Sequence, residues 1–251
     1  MPDETDMMIA YRSDYARGAQ LEKYVDPEWA RRVLRPYGVA MMKALRNHHV
    51  TGRVVDCGAG WGGLIEMMLE DGLEACGVEL SEQQVDYARR RGWPIQQGDL
   101  SVLSGEGTAS AVTFLAVFEH LVNHARVLSD ARRLLRDHGV VISLHPTAAF
   151  FRLVGTLATL GRQTRSLPDL AGSFAAPWHT SFLSIEATRL IFQRSGFRVL
   201  EILPAPQGRL GGVAGVLQRA LGLLNKIGWP VWGVRWPLVT SHIFVCRKLP
   251  T

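Results

Sequence analysis

Between Thr51 and Pro146 the apolar positions come in short runs, separated by stretches with helical spacing and joined by short connections. Alternation of this kind marks a doubly wound, mostly parallel sheet with helices on both faces. Upstream, residues 1 to about 22 are polar. Asp26 to Asn47 then shows helical periodicity, with Asp26 placed to cap it and Pro27 at the first helical position. Downstream, Thr147 to Thr180 breaks the rhythm, being apolar at first (AAFFRLVGTLATL) and then rich in Pro, Gly and Ser. Regularity returns at Ser184, which caps a helix over Ile185 to Ser195 closed by Gly196, and a strand follows from Phe197 to Ile202. The pattern describes one α/β domain over residues 1–251. It has an N-terminal helical cover (1–50), a core (51–146), a lid insertion (147–183) and a C-terminal part (184–251) carrying an apolar insertion at 203–240.

The chemistry concentrates where the first strand ends. In RVVDCGAGWGG, Arg53 to Gly63, the β-branched Val54 and Val55 suit a buried parallel strand, and Gly58, Gly60, Gly62 and Gly63 occupy four of six positions. Without Cβ atoms these residues permit a tight turn and the close approach of a ligand. Leu64 to Leu69 reads as a helix whose N-terminal N–H groups face whatever lies over the glycines. Gly58, Gly60 and Gly63 match G-x-G-x-x-G, and Glu79 follows Gly58 by 21 positions, where an acid would hold a ribose. Both NAD and S-adenosylmethionine meet that description, so an oxidoreductase or a non-catalytic cofactor-binding module stands beside a methyl-transfer enzyme. Asp56 separates the cofactors, because an acid two residues before the first glycine repels a pyrophosphate and favours a sulfonium or ammonium.

On these residues the chain resembles the class I S-adenosylmethionine-dependent methyltransferases, and the likeness runs from Arg53 to Pro146. ACGVELSEQQVDYARRRG is similar to that family's second strand, ending in an acid at Glu79, and the helix after it. QQGDL, Gln96 to Leu100, resembles the segment whose Asp meets the adenine amino group. AVTFLAVFEHL, Ala111 to Leu121, resembles the fourth strand and its acid-His end; GVVISLHP, Gly139 to Pro146, the fifth; and SHIFVCRK, Ser241 to Lys248, the seventh. The resemblance implies a seven-stranded, Rossmann-like α/β sheet with substrate-side insertions. It also implies a cofactor site, with the methionine end over Gly58, Ala59, Gly60 and Gly62, the ribose on Glu79 beside Leu80, and the adenine near Asp99 and Leu100. Ala116 closes the fourth strand beside this site, Asp56 orients the loop and the cofactor's amino group, and Tyr24 and Trp29 serve as cover.

Two groups within the family share further motifs. PWHTSFLSIEATRLIFQRSGF resembles the mixed small-molecule methyltransferases that act on oxygen, nitrogen or carbon acceptors in natural-product, quinone, lipid and glycan pathways. CGAGWGG, LSEQQ, FEH and SLHP are similar to the cyclopropane fatty acid and mycolic acid synthases, which use positions matching Glu119 and His145 to hold a bicarbonate base. That second group's N-terminal Cys context and C-terminal Tyr motif are not recognisable here, and the first group is preferred.

Composition narrows this picture without redirecting it. The chain's 47% hydrophobic and 20% charged residues over 251 positions suffice for one sizeable core. The net charge of +5 comes mostly from scattered arginines, and the one run, Arg89 to Arg91, sits at a helix end where cations favour the dipole. With no basic stripe interleaved with aromatics, nucleic acid is not the expected partner. Cys57, Cys76 and Cys246 lie in or beside predicted strands and read as buried apolar side chains, with neither a disulfide nor a metal site, which suits a reducing, cytoplasmic compartment. MPDETDMMIAYRSDYARG is too acidic and polar for a signal peptide, and no charge-free apolar run is long enough to span a bilayer. A monomer and a homodimer are both compatible with these features.

The acceptor side is read from the insertions. Leu203 to Thr240 contains no acidic residue, carries Arg209, Arg219, Lys226 and Arg235, and holds Trp229, Trp232 and Trp236. Within it, Val213 to Ile227 has the spacing of an amphipathic helix, which packs on the domain or a second subunit, or lies at a bilayer boundary and receives a lipid-like substrate. Ala148 to Leu160 is similarly apolar, and both insertions are expected to wall a pocket for a small or amphiphilic acceptor at the carboxyl ends of the strands. His145 at the end of the fifth strand and His179 in PWHTSF are the preferred general bases, His120 reads as structural, and Glu119 orients a histidine or the substrate.

Overall fold

Seven strands hydrogen-bond into one sheet in the order β3-β2-β1-β4-β5-β7-β6. They are β1 (Arg53–Cys57), β2 (Glu74–Glu79), β3 (Ile95–Gln97), β4 (Ala109–Leu115), β5 (Leu135–Pro146), β6 (Phe197–Pro204) and β7 (Ser241–Lys248). Strands β1 to β5 pair in parallel, and β7 runs antiparallel between β5 and β6. The structure is a computed structural model that describes residues 26–160, 181–207 and 212–250. Its helices are α1 (Pro27–Asn47), α2 (Gly63–Glu70), α3 (Glu82–Arg90), α4 (His124–Leu134), α5 (Ala148–Leu160), α6 (Ile185–Arg194) and α7 (Gly212–Trp232).

The central strands feed two cores, which explains their nearly continuous apolar character. Val54, Ala111, Ile142 and Val245 pack with Met41, Met42 and Leu45 of α1 and with Leu64, Ile65 and Met68 of α2. Their neighbours Val55, Val112, Val141 and Phe244 pack on the opposite face with Leu128 of α4 and Phe192 of α6. Helix starts follow their caps. Asp26 Oδ1 accepts from the N–H groups of Glu28 and Trp29, and Ser184 Oγ accepts from the N–H of Ala187. Gly196, at φ +80°, turns the chain out of α6 into β6.

The order of strands creates the crevice. The sheet grows from β1 through β2 to β3 on one side and through β4 to β5 on the other, so the connections after β1 and β4 diverge at their carboxyl ends. The acid-His end of β4 lies at that edge. Strand β4 stops at Leu115, where Ala116 takes a left-handed φ of +56°, and the acid-His end beyond it, Phe118–His120, forms a short 3-10 turn. The apolar part of the lid forms α5, and the helix in the last insertion runs five residues further than the Ile227 predicted, to Trp232.

Candidate active site

The loop after β1 is fixed to β2 before it reaches the crevice. The N–H groups of Gly58 and Ala59 both donate to Val78 O at 2.9 Å. The Gly60 N–H then donates to Glu79 Oε2, and the Ser81 N–H donates to Glu79 Oε1, each at 2.9 Å. One carboxylate therefore clamps two loops. Burial pushes the Glu79 carboxyl above its ordinary range, against the downward pull of the Ser81 and Gly60 amides. The glycines serve different ends: a Cβ at Gly60 would enter open space, nearest to Gln84 Oε1 at 3.9 Å, whereas one at Gly62 would strike the Trp93 ring at 2.5 Å. Gly60 opens the crevice, and Gly62 lets the loop pack against a tryptophan.

Asp56 lies one strand turn below that loop and is buried. Its Oδ1 accepts from Thr113 Oγ1 at 2.6 Å, and Thr113 is its cross-strand partner in β4. Burial raises its pKa to about 7; the Thr113 hydrogen bond works against the rise and the Glu79 charge adds to it. A cation brought near would recover the ionised form. Across the switch point Ala116 donates its N–H to Leu144 O at 2.8 Å while holding a left-handed backbone, a strained geometry for a residue with a Cβ. At the far end of the cleft Asp99 is anchored. Its Oδ1 accepts from Ser101 N–H and Oγ–H, and its Oδ2 accepts both terminal N–H groups of Arg126 at 3.0 Å. Burial raises the Asp99 pKa, but the Ser101 and Arg126 bonds outweigh it and hold the carboxyl below its ordinary value. Leu80 accepts from the Gln97 amide, and the Leu100 side chain is buried in the core on the α4 side.

His145 does not face the crevice as its strand-end position suggests. Its ring is buried, stacked between Phe118 at 4.8 Å and Phe244 at 5.0 Å. Its Nδ1 meets Ser143 Oγ at 2.9 Å and its Nε2 meets Thr188 Oγ1 at 3.4 Å. Burial depresses its pKa to about 3, with smaller contributions from His242 and His124. Period two on β5 decides this: His145 shares the face of Ser143, over α4 and α6. Both nitrogens are engaged by hydroxyls, which leaves none to share a bicarbonate with Glu119. Glu119 is itself buried on the Phe118–His120 turn, where burial raises its carboxyl to about 8, and His120 Nε2 lies 4.0 Å from its Oε1. His179 and Tyr24 fall outside the described residues.

A different histidine occupies the edge where β5 ends and β7 begins. His242 pairs with His145 across the two strands and is fully buried. Its Nδ1 lies 2.8 Å from Thr147 Oγ1, and the Trp229 ring of α7 lies 5.4 Å from its own. Its Nε2 has no hydrogen-bond partner among the described residues. Burial lowers its pKa to about 4, so the imidazole is neutral at pH 7.

The sheet order, the clamped acid and the glycine opening agree with a methyltransferase-domain profile that matches residues 22–202. The chain belongs to this methyltransferase-domain family. Its cofactor is S-adenosylmethionine, and the open space over Gly60, the acid at Glu79 and the buried acid at Asp56 fit a ligand with two ribose hydroxyls and a cationic end. Among curated relatives, the ubiquinone biosynthesis O-methyltransferase of Methylococcus capsulatus is 27% identical over 174 residues, covering 64% of this chain and 73% of that protein. The protein of the same name from Bordetella pertussis is 27% identical over 169 residues, covering 62% and 68%. The fold is shared with an S-adenosylmethionine-dependent methyltransferase from Archaeoglobus fulgidus (TM-score 0.56, 16% identity, 89% of this chain and 95% of that one). It is shared equally with one from Mesorhizobium loti (TM-score 0.57, 17% identity, 85% and 100%).

Several residues that shape the methyltransferase site escaped the sequence reading. Thr113 becomes visible only once β1 and β4 are known to be neighbours, because its role is to meet Asp56. Arg126 reaches Asp99 from α4, 27 residues away, and no local spacing announces it. His242 sits in an apolar strand motif, SHIFVCRK, where a histidine next to the first residue attracts no notice.

Proposed function

We propose that this methyltransferase alkylates an oxygen of an amphiphilic small molecule. The observation that carries the proposal is the placing of the two apolar insertions. Helix α5 begins two residues after β5, and α7 enters β7 with Trp229 against His242, so both border the carboxyl edge on the acceptor side of the cleft. The names of the curated relatives support oxygen as the acceptor atom and a quinone-type nucleus as its carrier. S-adenosylmethionine supplies an electrophilic methyl on its sulfonium. In this reading Glu79 accepts from the ribose hydroxyls with the lone pairs its two amide donors leave free, Asp56 and the Gly58–Gly62 loop orient the methionine end, and Asp99 with Leu100 borders the adenine. Ala116 forms the wall between cofactor and acceptor, and Trp29 is part of the cover. His242 Nε2 holds the acceptor hydroxyl, positioned by Thr147. Alignment of that oxygen supplies much of the rate, and Glu119 shapes the same wall from the β4 turn.

Among the described residues no helix is long and apolar enough to cross a membrane. Contact with a lipid surface through residues 203–240, from a reducing cytoplasmic compartment, is the setting we propose. The acceptor is tested by S-adenosylhomocysteine release with a series of alkyl catechols of increasing tail length. The expected result is a kcat/KM that rises with the tail, chiefly through KM. Equal turnover of tailed and tail-free catechols would remove the amphiphilic acceptor, and turnover confined to amines would remove the oxygen.

A further inference from the structure

Helix α7 carries a second apolar side beyond the one it packs on the domain. Val216, Leu223, Leu224, Ile227, Val231 and Trp232 are 48–68% exposed. At 100° per residue the first five fall within about a third of the helix circumference, forming one stripe along its outer side. The opposite side faces the protein through Trp229, whose ring lies against His242, and through the buried Asn225 and Gly228. Asn225 is buried and accepts from Trp236 Nε1 at 2.9 Å, and Gly228 lies so close to the Trp236 ring that a Cβ would meet it at 2.1 Å. A helix packed only for the stability of its own domain keeps its outer side polar. This one leaves an apolar stripe there. A contiguous apolar stripe of this kind on a water-soluble surface marks a contact site.

Charge identifies the occupant. Arg219 and Lys226 project together along one flank of the stripe, Arg235 follows at the end of the helix, and no acidic residue occurs from Leu203 to Thr240. A second copy docked stripe to stripe would bring these cations together with no carboxylate in the segment to neutralise them. An anionic lipid surface provides both complements at once, acyl chains for the stripe and headgroups for the cations. Trp232, exposed and stacked on Trp236 at the end of the helix, stands where an indole ring suits the headgroup level. We infer that α7 is an in-plane anchor for anionic bilayers, with Ile227 and Val231 inserted and Arg219 and Lys226 on the phosphates. This rests on the lipid contact of residues 203–240 and is independent of the acceptor's chemistry.

The test is flotation of the full chain with vesicles of phosphatidylcholine alone or mixed with phosphatidylglycerol. Binding is expected only to the mixed vesicles and should weaken at least tenfold when salt is raised from low to physiological levels. Ile227→Glu with Val231→Glu should abolish flotation, and Arg219→Glu with Lys226→Glu should abolish its dependence on phosphatidylglycerol. All four positions are exposed, so S-adenosylmethionine affinity by calorimetry should stay within twofold of the parent, which shows that the variants fold. Failure of the parent chain to float with mixed vesicles overturns the anchor. So does a parent dimer in sedimentation that Ile227→Glu converts to monomer without any vesicle binding, since a second copy would then cover the stripe. Turnover of a tail-free catechol in the absence of vesicles reports separately on the oxygen acceptor and stands whichever way flotation falls.

Discussion

The two halves of the carboxyl edge are built on different principles. On the β1-β2-β4 side, every group proposed to meet the cofactor is held by backbone amides or by a cross-strand neighbour: Glu79 by Gly60 and Ser81, Asp56 by Thr113, and the loop itself by Val78. On the β5-β7-β6 side, the groups come from segments far apart in the chain, with Thr147 after β5, His242 in β7 and Trp229 in α7. The first half is rigid and generic, as binding one cofactor demands. The second is an assembly of insertions, the part of such a fold where the proposed acceptor specificity would be set.

The sharpest way to break this contrast is at Glu79. Glu79→Ala removes the ribose acceptor and leaves the amides of Gly60 and Ser81 without their partner. Hydrogen bonds to a charged group are worth about 1.5–3 kcal/mol each, so cofactor affinity by calorimetry should fall about 100-fold or more, with a lower melting temperature. Glu79→Gln retains one carbonyl oxygen for a single amide and should lose less of both. Affinity unchanged in the alanine variant would show that the clamp is structural only.

Next in size is His145, where the strand-end reading and the structure disagree. If it is core, His145→Ala opens a ring-sized cavity between Phe118 and Phe244 and takes the partner from the buried Ser143 hydroxyl, while Thr188 keeps its bond to Ser184 O. The cost by denaturant unfolding should be about 3–5 kcal/mol, the range for deleting a buried ring. His145→Phe should keep both fold and turnover. Its pH behaviour has a definite sign. The parent's folded state holds His145 neutral down to about pH 3, whereas the unfolded chain takes up a proton near the ordinary histidine value of 6.5. The parent therefore loses stability as pH falls from about 6.5 toward 3, and the gain in melting temperature of His145→Phe over the parent should widen across that window. A phenylalanine variant that folds yet is inactive would restore the catalytic reading.

What could be read from the sequence follows the same division. The Asp56 and Glu79 pair, the glycine turn and strand β7 from Ser241 to Lys248 were all legible, because local spacing encodes a strand, a turn and the acid beyond it. The cap residues Asp26 and Ser184 were equally legible, since a capping side chain acts within three residues of itself. The face taken by His145 was not, because the last residues of a strand alternate between crevice and core, and the apolar run VVISL does not reveal which face is which. The outward stripe of α7 was hidden for a related reason. Periodicity shows that a helix has an apolar side, but only the packing of Asn225 and Gly228 against Trp236 shows which side the domain covers.

Asp56 gives a smaller and graded effect on the cofactor side. Its carboxyl sits at about 7 in the folded protein, raised chiefly by burial. Binding the cationic end of S-adenosylmethionine favours the ionised form, so affinity should rise with pH between about 6 and 8, by at most tenfold per unit, and flatten above. Proton release on binding, read by calorimetry in buffers of different ionisation enthalpy, should equal the slope of that rise, greatest toward about pH 6 and vanishing where the affinity flattens. Asp56→Asn should abolish both trends. A flat affinity profile in the parent would place the cation out of reach of Asp56.

The smallest expected effect tests the acceptor side alone. His242→Gln replaces the imidazole with an amide that can still reach Thr147, and it removes the Nε2 proposed to hold the acceptor hydroxyl. The acceptor KM should rise about three- to tenfold, the size of one modest hydrogen bond, while cofactor affinity stays unchanged. His242 is neutral at pH 7, so the parent's kcat should show no titration between pH 6 and 8 from this residue. His242→Gln would therefore shift KM without altering the shape of the pH profile. If the variant loses cofactor affinity as strongly as acceptor affinity, the two halves of the edge are one coupled unit and the division drawn between them fails.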